Sequence, residues 1–161
     1  MNLKNLRKKQ AELLNQEFDI PKLFAKDAMT LPTCFYEDDS IDKIISRLKE
    51  EDCDVCIVID KDKRFVGEID DEDLVKIMAH TALKEPITQI LDRGYRRELN
   101  WKKAKDLAKP HKNVVSKTTP INEVLKIVYK KSYDNIIVVD EKNRVLGVIT
   151  PSSLLRLLSK Y

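Results

Sequence analysis

Two short clusters in this chain carry side chains spaced for chemistry. Asp70 and Asp73 follow Gly67, and Thr150 and Ser153 follow Gly147 at the same intervals. Side chains three residues apart are neighbours on a helix surface, so each pair points one way. Their chemistry differs. A carboxylate only accepts hydrogen bonds and repels anions, whereas a hydroxyl can also donate, and at a helix N-terminus anions are favoured. Glu68, Asp71 and Glu72 add negative charge around the first pair. That run either starts a solvated helix or needs a divalent cation such as Mg²⁺ before a polyphosphate could approach.

Other reactive residues lack a constellation. Cys53 and Cys56, with Asp52, Asp54 and Cys34, superficially suggest zinc, but a tetrahedral site needs a second ligand pair and neither His80 nor His111 is placed to supply one. No metal site is expected. Those histidines also have no Ser, Cys or Asp context for nucleophilic catalysis, and there is no Gly-rich phosphate loop. The expectation is therefore no catalytic residue, no redox cofactor and no enzyme.

The elements that must position these clusters come in duplicate. "IVIDKDKRFVGEID", from Ile57, reappears eighty residues later as "IVVDEKNRVLGVIT", from Ile137, and a period of this kind implies two half-size units sharing a core. "CIVI" and "IIVV" read as strands buried on both faces. The pentads "DKDKR" and "DEKNR" read as turns, and "FVGEI" and "VLGVI" as returning strands, so each half contains a β-hairpin. A chain this long would hold roughly 11 glycines at average usage. This one has three, and Gly67 and Gly147 occupy equivalent positions, as expected for tight packing or for a ligand-facing backbone.

Before each hairpin an apolar stripe marks a helix: Ile41, Ile44, Ile45 and Leu48, capped by Asp39 or Ser40, and Ile121, Val124, Leu125 and Val128, with Thr119 as cap and Pro120 at the first helical position. After it comes another, with Leu74, Ile77 and Met78 or Leu154, Leu155, Leu157 and Leu158 inward. "AKDAM" and "AKDLA", each followed by a brief β-prone stretch ("TCFY", "NVVS"), open the repeats. An amphipathic helix is expected over 2–18. The segment between the repeats reads as a short helix over 86–91, a stop near Gly94, and basic residues around Tyr95 and Trp101. The expected organisation is an N-terminal helix in 1–20, repeat one at 25–79, a linker at 80–103 and repeat two at 104–161.

Composition narrows the classes. The chain is 42% hydrophobic and 35% charged, enough for a core under a well-hydrated surface. No apolar run is long enough to span a membrane, and "MNLKNLRKKQ" is too charged for a signal peptide. An odd cysteine count in such a chain favours reduced thiols and the cytoplasm. Residues 1–80 hold 13 Lys/Arg against 19 Asp/Glu and residues 81–161 hold 17 against 8, giving −6 and +9. The basic half could attract phosphate-bearing ligands or nucleic acid.

Met29 and Thr30 after "AKDA", the segments "VIDKDKRFVGEIDDEDL" and "VVDEKNRVLGVITPSSL", and the two-helix framing of each resemble a tandem pair of CBS domains over residues 25–158. The resemblance implies an α+β (α/β) fold, two pseudo-symmetric strand–helix–strand–strand–helix repeats packed sheet to sheet. It also implies a Bateman module with two clefts that bind an adenine nucleotide (AMP, ADP or ATP) or S-adenosylmethionine to regulate an unidentified effector protein. Such modules usually pair into disc-like homodimers. In the family pattern the hydroxyl at the Asp70/Thr150 position meets phosphate and the carboxylate at the Asp73/Ser153 position meets ribose. Here each half keeps one member: Asp73 in the first, Thr150 in the second. The resemblance assigns the adenine slot to Thr33, Cys34, Val55 and Cys56 in one half, and to Asn113, Val114, Asn135 and Ile136 in the other. Thr150, with Lys117, Arg144 and the basic linker near in sequence, makes the second cleft the better phosphate candidate. Two alternatives stand beside the sensor: a nucleic-acid binder using the basic half, and a ligand-free assembly module.

Overall fold

The computed structural model describes residues 22–53, 55–83, 101–130 and 135–161, and the side chains of all these except 80–83. The helices expected over 2–18 and 86–91 and the stop at Gly94 lie outside the described residues. The first half runs α1 (Ala25–Ala28), β1 (Thr33–Tyr36), α2 (Ile41–Glu50), β2 (Cys56–Ile59), β3 (Phe65–Ile69) and α3 (Asp71–Leu83). The second runs α4 (Ala104–Leu107), β4 (Val114–Ser116), α5 (Ile121–Lys130), β5 (Ile136–Val139), β6 (Val145–Ile149) and α6 (Pro151–Leu158). Each half forms its own three-stranded sheet, ordered β1-β2-β3 and β4-β5-β6. The first two strands of each are parallel and the last two antiparallel.

The central strands explain this order. Every residue of β2 and of β5 is buried, so each needs a neighbour on both edges and a covered surface on both faces. The two outer strands of each sheet supply the edges. Tight turns join the hairpins: Asp60 Oδ1 accepts the N–H groups of Asp62 and Arg64 at 2.8 Å, and Asp140 Oδ1 those of Lys142 and Arg144 at 2.8 and 2.9 Å. Lys63 and Asn143 complete the turns at positive φ, 64° and 61°, a region Asn tolerates better than Lys. On one face the sheets meet each other through Val55, Ile57 and Ile59 against Ile137, Val139 and Val148. The opposite faces hold the separate helix cores of the halves.

The short helix opening each repeat does not cap its own half. Ala25 and Ala28 of α1 lie in the core of the second half, held by the Ala25 N–H to Thr119 C=O bond at 2.8 Å and by paired bonds between Thr30 and Val148. Ala104 and Leu107 of α4 lie in the first core, where Ala104 N–H donates to Asp39 C=O at 2.8 Å and Lys109 pairs with Glu68. These crossings account for the two equivalent glycines. A Cβ on Gly67 would come within 2.9 Å of Ala108 Cβ and 3.0 Å of the Lys109 carbonyl carbon; one on Gly147 would lie 2.9 Å from Thr30 O. Both glycines admit the other repeat's backbone.

Local details depart from the sequence reading. Helix α5 begins at Ile121, and Pro120 stands one residue earlier than expected, its carbonyl accepting the Val124 N–H at 3.3 Å. There it pairs with Phe24 in an isolated bridge, and the Ile121 N–H at the start of the helix is taken by Leu23 C=O at 2.9 Å rather than by a Thr119 cap. Leu155 faces solvent, leaving Leu154 and Leu157 as the buried leucines of α6 with Leu158 packed beside them. Trp101 packs on the first core, as a connector aromatic would. Cys53 and Cys56 are joined in a disulfide, which corrects the expectation of reduced thiols: the loop before β2 brings the two Cα atoms to 6.5 Å, within bonding range. Among the described residues no helix is long and apolar enough to cross a membrane.

Candidate functional site

Register fixes where the two clusters lie. Cys56 pairs with both Thr33 and Ile69, so the starts of β1 and β2 and the end of β3, with Asp70 beyond it, share one end of the first sheet. By the same pairing the residues before β4 and β5 share an end of the second sheet with Thr150. Because the opening segments cross over, each of these ends is lined from both repeats.

The first cleft is ionic. Asp73, on the first turn of α3, is only 4% exposed. Lys109, arriving from the second repeat, places Nζ 2.5 Å from Asp70 Oδ2 and 2.9 Å from Asp73 Oδ2, and Lys76 lies 3.6 Å from Asp73 Oδ1. Hydrogen bonds to Asp70 and then Asp73 hold the Lys109 ammonium well above its usual pKa. Beside them Glu68 accepts from the Asn135 amide, while its other oxygen lies 3.2 Å from His111 Nε2. His111 Nδ1 accepts the Asn113 N–H at 3.2 Å, so Nε2 carries the proton that is donated to Glu68. The imidazole also lies against Phe65, ring centroids 4.9 Å apart.

Around Thr150, where the second cleft is expected, the described contacts are made by hydroxyls rather than by ion pairs. Thr150 caps α6: Ser153 N–H donates to Thr150 Oγ1, Thr150 N–H donates to Ser153 Oγ, and the Ser153 hydroxyl donates to Thr150 C=O, each at 3.0 Å. Ser153 is thus spent on the cap, whereas no partner among the described residues takes the Thr150 hydroxyl proton. Thr30 Oγ1 donates to Val148 C=O at 3.3 Å. Leu31 beside it is 88% exposed.

The remaining sequence candidates separate. Asn135 reaches Glu68 across the repeat boundary, whereas Asn113, buried, accepts the Ile137 N–H in its own half and donates its N–H to His111, which in turn meets Glu68. Val114 is exposed. Ile136 lies in the second core and Cys56 in the first, disulfide-bonded. Thr33 and Cys34 are half-buried on β1, and burial pushes the Cys34 thiol up against the opposing charge of Arg47. Lys117 and Arg144 lie at the opposite end of the second sheet from Thr150, paired with Glu141 at 3.0 Å and Asp140 at 2.7 Å. Lys109 was missed as a site residue. Aligning "AKDLAK" on "AKDAMT" places it opposite Thr30, a signal visible once the repeats are superposed.

A family model for the CBS domain matches residues 25–80 and 104–160. The chain belongs to the CBS domain family. Its two halves are tandem CBS repeats, and several relatives share that architecture. MJ1426, an uncharacterised protein of Methanocaldococcus jannaschii, is 26% identical over 153 residues, covering 84% of this chain and 91% of that one. The CBS-pair protein CBSX2 of Arabidopsis thaliana superposes with a TM-score of 0.63 at 22% identity, over 86% of this chain and 96% of that one. CBSX2 has also been solved in complex with AMP. The CBS domain pair of protein MJ0100, in complex with 5′-methylthioadenosine and S-adenosyl-L-methionine, superposes with a TM-score of 0.58 at 19% identity, over 84% and 99% of the two chains.

Proposed function

We propose that this CBS pair is a regulatory module that binds an adenosine-containing ligand, AMP, ADP, ATP or S-adenosylmethionine, and passes the signal to a partner protein in the cytoplasm through altered packing of its repeats. The observation that carries the reading is Asp73: a buried carboxylate on the first turn of a 13-residue helix, in a cleft walled by both repeats. A carboxylate there can accept two ribose hydroxyls, and CBS pairs of the same fold have been solved with AMP and with adenosyl compounds. The cross-repeat contacts give a route for the signal. A ligand at Asp73 competes with Lys109, whose segment belongs to the other half, and it biases the packing of the halves only as far as it prefers one arrangement. Chemistry on the ligand has no part in this role.

The module pairs with a second copy. Val75 on α3 and Leu155 on α6, equivalent in the two repeats, are 66% and 70% exposed, and an apolar residue repeated by the internal two-fold suits a symmetric interface. The first experiment is a thermal-shift panel of AMP, ADP, ATP, S-adenosylmethionine, GTP and a short RNA, each with and without Mg²⁺, followed by calorimetry on hits. A ligand that binds only the native state raises its apparent stability. Selective stabilisation by an adenosine compound is expected; none at saturating concentration, or stabilisation by RNA alone, overturns the reading.

A further inference from the structure

The first cleft already contains a cation of its own, and that cation comes from the other repeat. Lys109 Nζ bridges Asp70 and Asp73, and Asp73 is the carboxylate that the proposed function gives to the ribose hydroxyls, with Asp70 three residues before it. The lysine side chain is 56% exposed, so a ligand can reach it, and a four-carbon stem lets the ammonium swing while its backbone stays paired with Glu68. We infer that Lys109 is a charge gate that makes the first cleft selective for adenosine ligands bearing a 5′-phosphate.

On the function proposed above, the ligands differ in what each gives back to the displaced lysine. A ribose diol at Asp73 displaces the ammonium from that carboxylate. With a plain nucleoside the displaced charge loses a strong hydrogen-bond partner and gains nothing. With a sulfonium ligand it meets a second positive charge. With a 5′-phosphate the ammonium finds a new anion, and this also offsets the repulsion that Asp70 and Glu68 would exert on that phosphate. The second cleft has no such device: the position equivalent to Lys109 is Thr30, and Thr150 and Ser153 replace the two carboxylates. Any preference for AMP over adenosine there would rest on the Thr150 hydroxyl and the α6 N-terminus rather than on an ion pair like that of Lys109.

The two clefts can be read separately in one sample. The chain has three glycines, and Gly67 and Gly147 each lie beside one cleft, so their backbone amide signals in proton–nitrogen correlation spectra report occupancy of the first and second cleft. AMP, adenosine and S-adenosylmethionine are titrated into the wild type, Lys109→Met and Lys109→Arg, with thermal melts showing that each variant is folded. At the Gly67 signal the wild type is expected to bind AMP at least about tenfold more tightly than adenosine. Lys109→Met should abolish or invert that ratio by weakening AMP and sparing adenosine, and Lys109→Arg should preserve it. An AMP-to-adenosine ratio unchanged in Lys109→Met overturns the gate while leaving the adenosine reading intact. Absence of any adenosine ligand at both glycines in the wild type overturns both. Should Lys109→Met not fold, loss of the ratio in Lys109→Gln decides in its favour and retention decides against it.

Discussion

Matched by strand register, the two clefts of this CBS pair hold opposite chemistry on the same scaffold. Glu68, Asn135, Lys109, Asp70 and Asp73 in the first stand where Val148, Val55, Thr30, Thr150 and Ser153 stand in the second. The segment from Lys109 to Asn113 is also one residue longer than that from Thr30 to Thr33, and the added length carries His111 to Glu68. What both share is backbone: strand pairing, crossed opening segments and a glycine where each crossing passes. The repeats thus diverged at positions facing the cleft and kept those facing the core, because a core position is constrained by every neighbour it touches, whereas a cleft position is constrained by its ligand.

Breaking what the clefts share should have the largest effect. Gly67→Ala and Gly147→Ala each push a methyl group to within 2.9 Å of the crossing segment, and relieving such overpacking costs about 1–3 kcal/mol. Chemical denaturation should show both variants destabilised by similar amounts, since backbone atoms lie in the way in each case. If Gly67→Ala proves neutral while Gly147→Ala does not, the crossings are not equivalent and the matched-cleft comparison fails.

The next test acts on the difference. Lys109→Met leaves the buried Asp73, among the described residues, with Lys76 as its remaining cation, at a cost of about 1–2 kcal/mol, below the range for breaking a fully buried pair because Lys109 is half in solvent. Thr150→Ala removes a helix cap from the neutral cleft, worth about 1 kcal/mol. The two are separable by salt. At 1 M NaCl screening acts within about 3 Å, so the Lys109→Met penalty should shrink while the Thr150→Ala penalty stays. Equal salt responses would remove the distinction between an ionic and a neutral cleft.

How much of this was legible in the sequence follows from what each feature depends on. The repeat, the buried strands "CIVI" and "IIVV", the hairpins and the paired glycines are periodic or local, and the structure has each of them. The crossing of "AKDAM" and "AKDLA" onto opposite halves was not legible, because similarity between two segments says nothing about which copy of the partner each contacts. From that one gap the other differences at the site follow. Lys109, thirty-odd residues from Asp70 and Asp73 in sequence, carries no local sign that it reaches them, and nothing local shows that the Asn135 amide reaches Glu68 across the repeats. Nearness in sequence suggests Lys117 and Arg144 beside Thr150, whereas strand direction puts them at the other end of the sheet. The Cys53–Cys56 disulfide follows from loop geometry, which a count of cysteines does not contain.

The smallest effect concerns how Lys109 is delivered. Asp106 Oδ2 accepts the N–H groups of Lys102 and Lys103, both at 2.9 Å, fixing the start of α4 at Ala104, five residues before Lys109. Those two bonds, the one to Lys102 foremost, hold the Asp106 carboxyl below the usual carboxylate value against a smaller opposing effect of burial. A carboxylate with a depressed folded-state pKa stabilises the fold above its unfolded value, about 3.9, and loses that contribution as pH falls through the folded value. Asp106→Asn keeps one acceptor oxygen but no charge, so at pH 7 it should cost about 0.5–1 kcal/mol, modest because the group is exposed. Between pH 5 and pH 2 the variant and wild-type curves should converge, since the wild-type group becomes neutral too. If the penalty is instead as large at pH 2 as at pH 7, Asp106 acts through shape rather than charge, and the ionic character of the first cleft does not extend to the segment that carries Lys109 into it.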